Sequence, residues 1–283
     1  MACDLHTHTT FSDGALSPEE LLAEAQKAHL HYLAITDHDT VDGVAHLYEK
    51  GVQAPCGLTL IPGVEFSAHW DEKHEVHILG YGLDIYQKDL NERLNDVREA
   101  RWARLSEMLE KLKTLHLPVS EAEVLRIAGT SQSVSRSHVA RALVKKGYCR
   151  TVREAFDKAL AKGRPAYVPH YRLTPQEIVQ LVKGAGGISV LAHPKLVGDD
   201  HIVQAVLSLG LEGLEVYYPQ HDVADTERYL AMANARGLLV TGGSDFHGYV
   251  TRYPSVLGVF TAADTCAQKL LEAIQRQQNH QKN

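Results

Sequence analysis

Asp4-Leu5-His6-Thr7-His8-Thr9-Thr10-Phe11-Ser12-Asp13-Gly14 is the stretch on which the fold turns. Its first half reads as part of a strand, Cys3–His8. Alternate strand residues share a face, so His6 and His8 can present two imidazoles to one ion. Asp4 has the same parity one step deeper, where a carboxylate can orient a ligand histidine. Asp13 adds a second carboxylate in the loop just past the strand. One such pair is a weak signal, because an exposed His-x-His on an edge strand binds nothing.

The signal gains weight because it recurs. Apolar runs at Tyr32–Thr36, Thr59–Val64, Val76–Tyr81, Gly187–Ala192, Gly213–Tyr217 and Leu238–Thr241 read as further strands, and Ser255–Phe260 as a further strand or an edge. Amphipathic stretches at Pro18–Ala28, Pro175–Lys183, Asp222–Ala235 and Cys266–Gln275 read as helices, two of them opened by Ser17-Pro18 and Thr174-Pro175, an N-cap followed by proline. Strand–helix alternation predicts a parallel α/β architecture, and seven strands suit a closed barrel. His38 follows the second strand and Glu65 the third. His77 lies in the fourth, His193 follows the fifth, and Asp245 and His247 follow the last. The C-terminal strand ends of a parallel barrel converge on its site. The nine residues His6, His8, Asp13, His38, Glu65, His77, His193, Asp245 and His247 therefore form a candidate ligand set for two or three divalent ions. Imidazole with carboxylate and no thiolate suits Mn²⁺ first, with Fe²⁺ or Zn²⁺ as alternatives. Closely spaced ions activate water, neutralise a phosphoryl oxygen and stabilise a leaving alkoxide, the needs of phosphate-ester hydrolysis.

From about Leu90 to Arg172 the alternation stops. Helices are predicted through Arg93–Leu115, Ser120–Ala128, Arg136–Lys146 and Val152–Lys162. The domain reading is thus a barrel from 1–89 and 173–283 with an inserted helical cap at 90–172. Arg98, Arg101 and Arg104 recur along one side of the long helix, either as a solvated stripe balanced by Glu92, Glu99 and Glu107 or as a phosphate clamp. Ser135, Arg136 and His138 open another helix, where serine caps, free amides and arginine make an anion site. Lys195 is a further candidate phosphate partner, His221 is read as an acid or phosphate contact, and His170 as structural.

The 283-residue chain is 44% hydrophobic with a formal charge of −6, so no global basic field advertises nucleic acid. No apolar run approaches the roughly 18 residues needed to span a bilayer. Cys3, Cys56, Cys149 and Cys266 form no CxxC pair, and Met1 leads into the first strand without a leader pattern. The expectation is a cytoplasmic enzyme with reduced thiols, no membrane association and no stable protein partner. The tail Arg276–Asn283 is polar and is expected to fray.

Asp4–Gly14 (DLHTHTTFSDG), Ile35–Gly43 (ITDHDTVDG), Gly63–Phe66 (GVEF), Ala192–Pro194 (AHP) and Gly243–Gly248 (GSDFHG) resemble the successive motifs of the polymerase and histidinol phosphatase (PHP) superfamily. The resemblance implies a distorted (β/α)7 TIM-like barrel with a trinuclear centre. His6, His8, Glu65 and Asp245 would hold one ion, and Asp13, His38 and His247 a second. Glu65 would bridge to a third bound by His77 and His193. Glu65, Asp245 and His247 are expected to carry catalysis. With its inserted cap the chain resembles the branch of 3′,5′-nucleoside bisphosphate phosphatases, some of them also 5′→3′ exoribonucleases. That implies a small nucleotide or a short RNA as substrate, although Lys195-Leu196-Val197 departs from the Arg-Tyr of that branch. The competing readings are another phosphomonoesterase of the superfamily, such as histidinol-phosphate phosphatase, and a non-catalytic nucleic-acid-binding module.

Overall fold

The protein is described by a computed structural model over residues 2–71, 73–129, 131, 133–169 and 173–281. His170 and the end of the predicted insertion at Arg172 lie outside the described residues. Eight strands form one sheet: β1 (Ala2–Asp4), β2 (Tyr32–Ile35), β3 (Thr59–His69), β4 (Glu75–Tyr81), β5 (Ile188–Leu191), β6 (Gly213–Tyr217), β7 (Leu239–Gly242) and β8 (Ala262–Ala263), in the order β7-β6-β5-β4-β3-β2-β1-β8. The residues trailing β1 and β7 bring the ends of this order together. Thr7 bridges Phe246 in parallel, and the His8 N–H donates to the Phe246 carbonyl at 2.9 Å. Gly243 is required at this seam, because a Cβ there would lie 2.3 Å from the His6 Cβ.

The sheet is a barrel of the expected class, with one departure. β4 runs antiparallel to both β3 and β5. The physical reason is the short connection after β3, closed by the Trp70 N–H on the His74 carbonyl at 3.4 Å. A parallel return needs a crossover of a dozen or more residues. Three further strand readings change. β1 stops at Asp4, so His6 and His8 lie beyond the ladder, and Glu65 sits inside β3 instead of ending it. Ser255–Phe260 forms no strand; the edge is β8, antiparallel to β1.

Helices α1 (Pro18–Lys27), α2 (Asp42–Glu49), α7 (Pro175–Gly184), α8 (Asp200–Leu207), α9 (Val223–Arg236) and α10 (Asp264–Gln281) surround the sheet, and α3–α6 come between β4 and β5. Ser17 and Thr174 close reciprocal capping boxes with Glu20 and Glu177, each followed by proline. From Arg276 to Gln281 the polar tail continues α10 instead of fraying. Gln278 and Gln281 donate side-chain hydrogen bonds to the Gly82 and Lys183 carbonyls at 3.1 and 2.5 Å. Alternation sorts the strands into two apolar layers. Val64, Phe66 and Leu191 pack outward under the helices, while Ile61, Leu79 and Val190 join Leu270 and Ile274 of α10 in a second cluster.

The inserted segment comprises α3 (Lys88–Thr114), α4 (Glu121–Ala128), α5 (Arg136–Lys145) and α6 (Val152–Ala155), which continues as a π-helical turn over Phe156–Leu160. It carries its own apolar cluster, from Leu105 to Val168. Helix α3 passes between the two regions: Leu90, Leu94 and Val97 belong to the barrel cluster, Leu105, Met108 and Leu112 to the other.

Candidate metal centre and cleft

All nine candidate ligands converge at one end of the barrel. His77 reaches it because β4 is reversed, which puts the beginning of that strand beside the ends of the parallel ones. Glu65 pairs with Leu79 across the β3–β4 ladder, and His77 is the same-face diagonal neighbour. Its Nδ1 lies 2.7 Å from Glu65 Oε1, and His193 Nε2 lies 3.0 Å from the same oxygen. Glu65 Oε2 faces the other way, 3.2 Å from His6 Nε2, 3.3 Å from His8 Nε2 and 3.0 Å from His38 Nδ1. One carboxylate thus touches five imidazoles. Asp245 Oδ1 stands 3.2 Å from His8 Nε2, and Asp13 Oδ1 stands 3.1 Å from His247 Nε2.

Donor atoms close enough to share an ion fall into three overlapping groups: His6, His8, Glu65 and Asp245; His8, Asp13, His38 and His247; and His38, Glu65 and His77. The first is the expected quartet. The second adds His8 to the expected trio. The third contains Glu65 and His77 with His38, whose ring lies between Asp13 and Glu65, while His193 approaches the group only through Glu65 Oε1. A protein-only reading leaves a debt of unmet hydrogen bonds. His6 Nε2, His8 Nε2, Asp13 Oδ1, His38 Nδ1, Glu65 Oε2 and His247 Nε2 are all buried without a hydrogen-bond partner among the described residues. Buried polar atoms are normally satisfied, and atoms of these types pointed at one another are what cations satisfy. The donor set fits divalent metal.

The electrostatics agree. Burial penalises the Glu65 and Asp13 carboxylates, but the surrounding imidazoles hold both well below the usual range. Burial likewise pulls His8 and His77 down. Asp245 and Glu65 outweigh it at His8, pushing it up to about 9, and Glu65 with Glu75 pushes His77 up to about 10. Protons are therefore held where a cation would sit, and an ion would displace them.

Backbone geometry is spent here as well. His193 and Asp245 adopt positive φ, 27° and 53°, as does Asp39 at 50°. Such conformations cost roughly 1–3 kcal/mol each for a non-glycine residue. Asp245 Oδ2 receives the Tyr218 hydroxyl at 3.2 Å and Arg252 Nη2 at 2.7 Å.

The histidine-orienting role expected of Asp4 belongs to Glu215. Its Oε1 accepts from His6 Nδ1 at 3.1 Å, which turns Nε2 toward the centre, and its Oε2 accepts the His193 N–H at 2.7 Å. Asp4 instead accepts the Ser244 N–H and hydroxyl at 2.9 and 2.5 Å, fixing the turn that carries Asp245. Glu215, Tyr218 and Arg252 were not singled out by the sequence reading. Only Glu215 left a signal, as the lone charge in the buried strand Gly-Leu-Glu-Val-Tyr.

A cleft of about 460 Å³, its open mouth included, joins Asp13, His38 and His77 to Arg101, Arg104, Ser135, Arg136 and Phe156 across the barrel–insertion boundary. Arg101 and Arg104 are only 5% and 6% exposed, so they are not a solvated stripe. Arg101 pairs with Asp39, Arg104 donates to the Val168 carbonyl at 2.9 Å, and Arg136 stands 3.7 Å from Glu75. The other expected contacts lie elsewhere. His138 Nδ1 accepts the Ser135 N–H at 3.0 Å in a capping box, and burial pushes its ring down to about 4. Lys195 pairs with Asp225 and, at 3.6 Å, with Asp222, at the N-terminus of α9. His221 donates from Nδ1 to the Val216 carbonyl at 2.8 Å and packs on Tyr218 and Tyr229.

Residues 4–278 match the PHP domain family. A 3′,5′-nucleoside bisphosphate phosphatase of Chromobacterium violaceum is 34% identical over 249 residues, 86% of this chain and 86% of that protein. The 5′-3′ exoribonuclease Rnm of Salmonella typhimurium is 35% identical over 249 residues, 86% of this chain and 84% of that protein. A solved structure from Bifidobacterium adolescentis, assigned as a metal-dependent phosphoesterase, superposes with a TM-score of 0.86 at 34% identity over 96% of each chain.

Proposed function

This chain belongs to the PHP domain family, and on that premise we propose that it is a metal-dependent phosphoesterase removing the 3′-phosphoryl group of nucleoside 3′,5′-bisphosphates. The same attack on the 3′ phosphorus of a short 5′-phosphorylated RNA would release a nucleotide, the activity named for the Rnm relative. The observation that carries this reading is the shared cleft: three candidate ligands open onto the same space as three arginines of the insertion. An ester with one phosphate at the ligands and a second anionic group within reach of the arginines fits that space.

Two or three divalent ions, Mn²⁺ foremost, would be held by His6, His8, Asp13, His38, Glu65, His77, His193, Asp245 and His247. Bound there, the ions supply Lewis acidity and lower the pKa of water to near neutrality. The remaining roles fall to the chain. Glu65 sets the spacing of both sides of the centre through its two oxygens. Glu215 fixes the His6 tautomer. Tyr218 and Arg252 hold the outer oxygen of Asp245, so that Oδ1 points inward. Arg101 and Arg104, already desolvated, face the substrate phosphate at little further cost, and Ser135 and Arg136 offer donors at the N-terminus of α5.

No helix among the described residues is long and apolar enough to cross a membrane. The four free cysteines suit a reducing compartment such as the cytoplasm. The test is phosphate release from adenosine 3′,5′-bisphosphate, a 5′-phosphorylated short RNA and histidinol phosphate, each with Mn²⁺. Turnover of the first two and little of the third is expected. Hydrolysis of simple monoesters alone would overturn the nucleotide assignment.

A further inference from the structure

The three ligands expected to share the second ion differ from those of the first in what holds them. His6, His193 and Asp245 are braced by barrel groups: Glu215, Tyr218 and Arg252. Asp13 lies in the loop Thr9–Gly14, and the inserted segment grips that loop from two directions. Arg141 of α5 donates from Nη1 to the Asp13 carbonyl at 3.2 Å, and the Ser131 hydroxyl donates to the Phe11 carbonyl at 3.1 Å. The Arg141 guanidinium also lies over the Tyr249 ring, 4.5 Å from its centre, two residues past His247. The Tyr249 hydroxyl returns to the Gly14 carbonyl at 3.4 Å. The third ligand, His38, adjoins Asp39, and Asp39 takes Arg101 of α3. Each of the three ligands thus has the insertion as its neighbour.

We propose that the ion site of Asp13, His38 and His247 is assembled jointly by barrel and cap, with Arg141 as its positioning residue. The ion at this site is then the most weakly held of the set, and it fills only when the cap is seated. The ion of His6, His8, Glu65 and Asp245 depends on the barrel alone, whereas His77 meets Arg136 of the insertion only through Glu75. This inference rests on the metal reading given above and adds to it which ion answers to the cap.

Arg141 is a suitable handle because few bonds depend on it. Its Nε and Nη2 are buried without hydrogen-bond partners among the described residues. Replacement therefore strands only the Asp13 carbonyl and the face of Tyr249. Arg141→Met keeps most of the volume and removes the donor; Arg141→Lys keeps one donor; Ser131→Ala loosens the same loop from the other side. The measurement is Mn²⁺ bound per chain, by elemental analysis after equilibrium dialysis of the metal-stripped full chain against graded free Mn²⁺. Thermal melting of each metal-free variant checks its fold.

In Arg141→Met one equivalent should shift to about 10–100-fold higher free Mn²⁺, the usual consequence of losing a group that orients a ligand, while the others hold their place. Ser131→Ala should shift the same equivalent by less, and Arg141→Lys should recover part of the loss. Unchanged binding in a folded Arg141→Met overturns the proposal, and so does equal weakening of every ion. If Arg141→Met fails to fold, an unshifted Ser131→Ala overturns it equally. A wild-type chain that takes up no divalent ion defeats the metal reading itself, an outcome distinct from either.

Discussion

The barrel end and the cap meet at one cleft but are built differently. On the barrel side His6, His8 and Glu65 are at most 1% exposed and are locked by carboxylates that are themselves buried, such as Glu215. On the cap side Arg104 and Arg136 reach the cleft from helices that carry a separate apolar cluster. Rigid geometry is what metal chemistry demands, whereas recognition of a substrate needs a surface that can be altered without disturbing the centre. On the proposed reading the chemistry falls to the barrel and selectivity to the cap rim at Arg136, while Arg141 of the same cap braces the loop of Asp13.

The strongest way to break that division is at its barrel side. Glu65→Gln should lower phosphate release by at least about a thousandfold, roughly 4 kcal/mol of barrier, and reduce bound metal. Full activity with full metal content would refute its central role. Next, Glu215→Gln should leave the substrate preference intact while weakening Mn²⁺ binding by about 10–100-fold, read by the same dialysis. An altered preference at unchanged metal affinity would move Glu215 out of its positioning role.

Stability against pH separates the regions differently. His138, 2% exposed, is pushed by burial down to about 4, below its unfolded value of 6.5. Its neutral form contributes stability that is fully present above pH 6.5 and lost as pH falls toward 4, at most about 3 kcal/mol. His138→Gln keeps a capping-box side chain and removes the titration. Thermal melts from pH 7 to pH 4.5 should therefore fall less for the variant than for the parent; parallel curves would exclude His138. The smallest effect is expected at the cap rim. Arg136→Ala should cost about tenfold in kcat/KM for substrates with a 5′-phosphate and little for those without one. Equal loss on both would place Arg136 outside recognition.

Much of the candidate metal centre is legible in the sequence because its candidate ligands sit at fixed offsets from apolar strands. His193 and Asp245 directly follow short buried runs, and runs of that kind can be read without the fold. The partners of those ligands were not legible. Glu215 meets His6 over 209 positions of sequence, and Arg252 reaches Asp245 through a turn closed by the Arg252 N–H on the Tyr249 carbonyl at 3.0 Å. Strand parity points to Asp4 for the role that Glu215 fills. Asp4 does not take that role because β1 ends at Asp4, and parity means nothing beyond the last ladder pair. Charge and position suggest His138 and Lys195 as anion contacts, but each has a near partner in the fold: a backbone amide for one, Asp225 for the other.

By itself, then, the sequence determined that a strand-and-helix chain gathers imidazoles and carboxylates at strand ends, since periodicity and spacing are local properties. Only the tertiary structure decided that β4 runs backward to bring His77 to Glu65. Only there do Arg101 and Arg104 become buried walls of a cleft, and only there does the insertion hold the loop of Asp13. Strand direction, desolvation and contact between distant segments arise from packing the whole chain, and no window of sequence contains them.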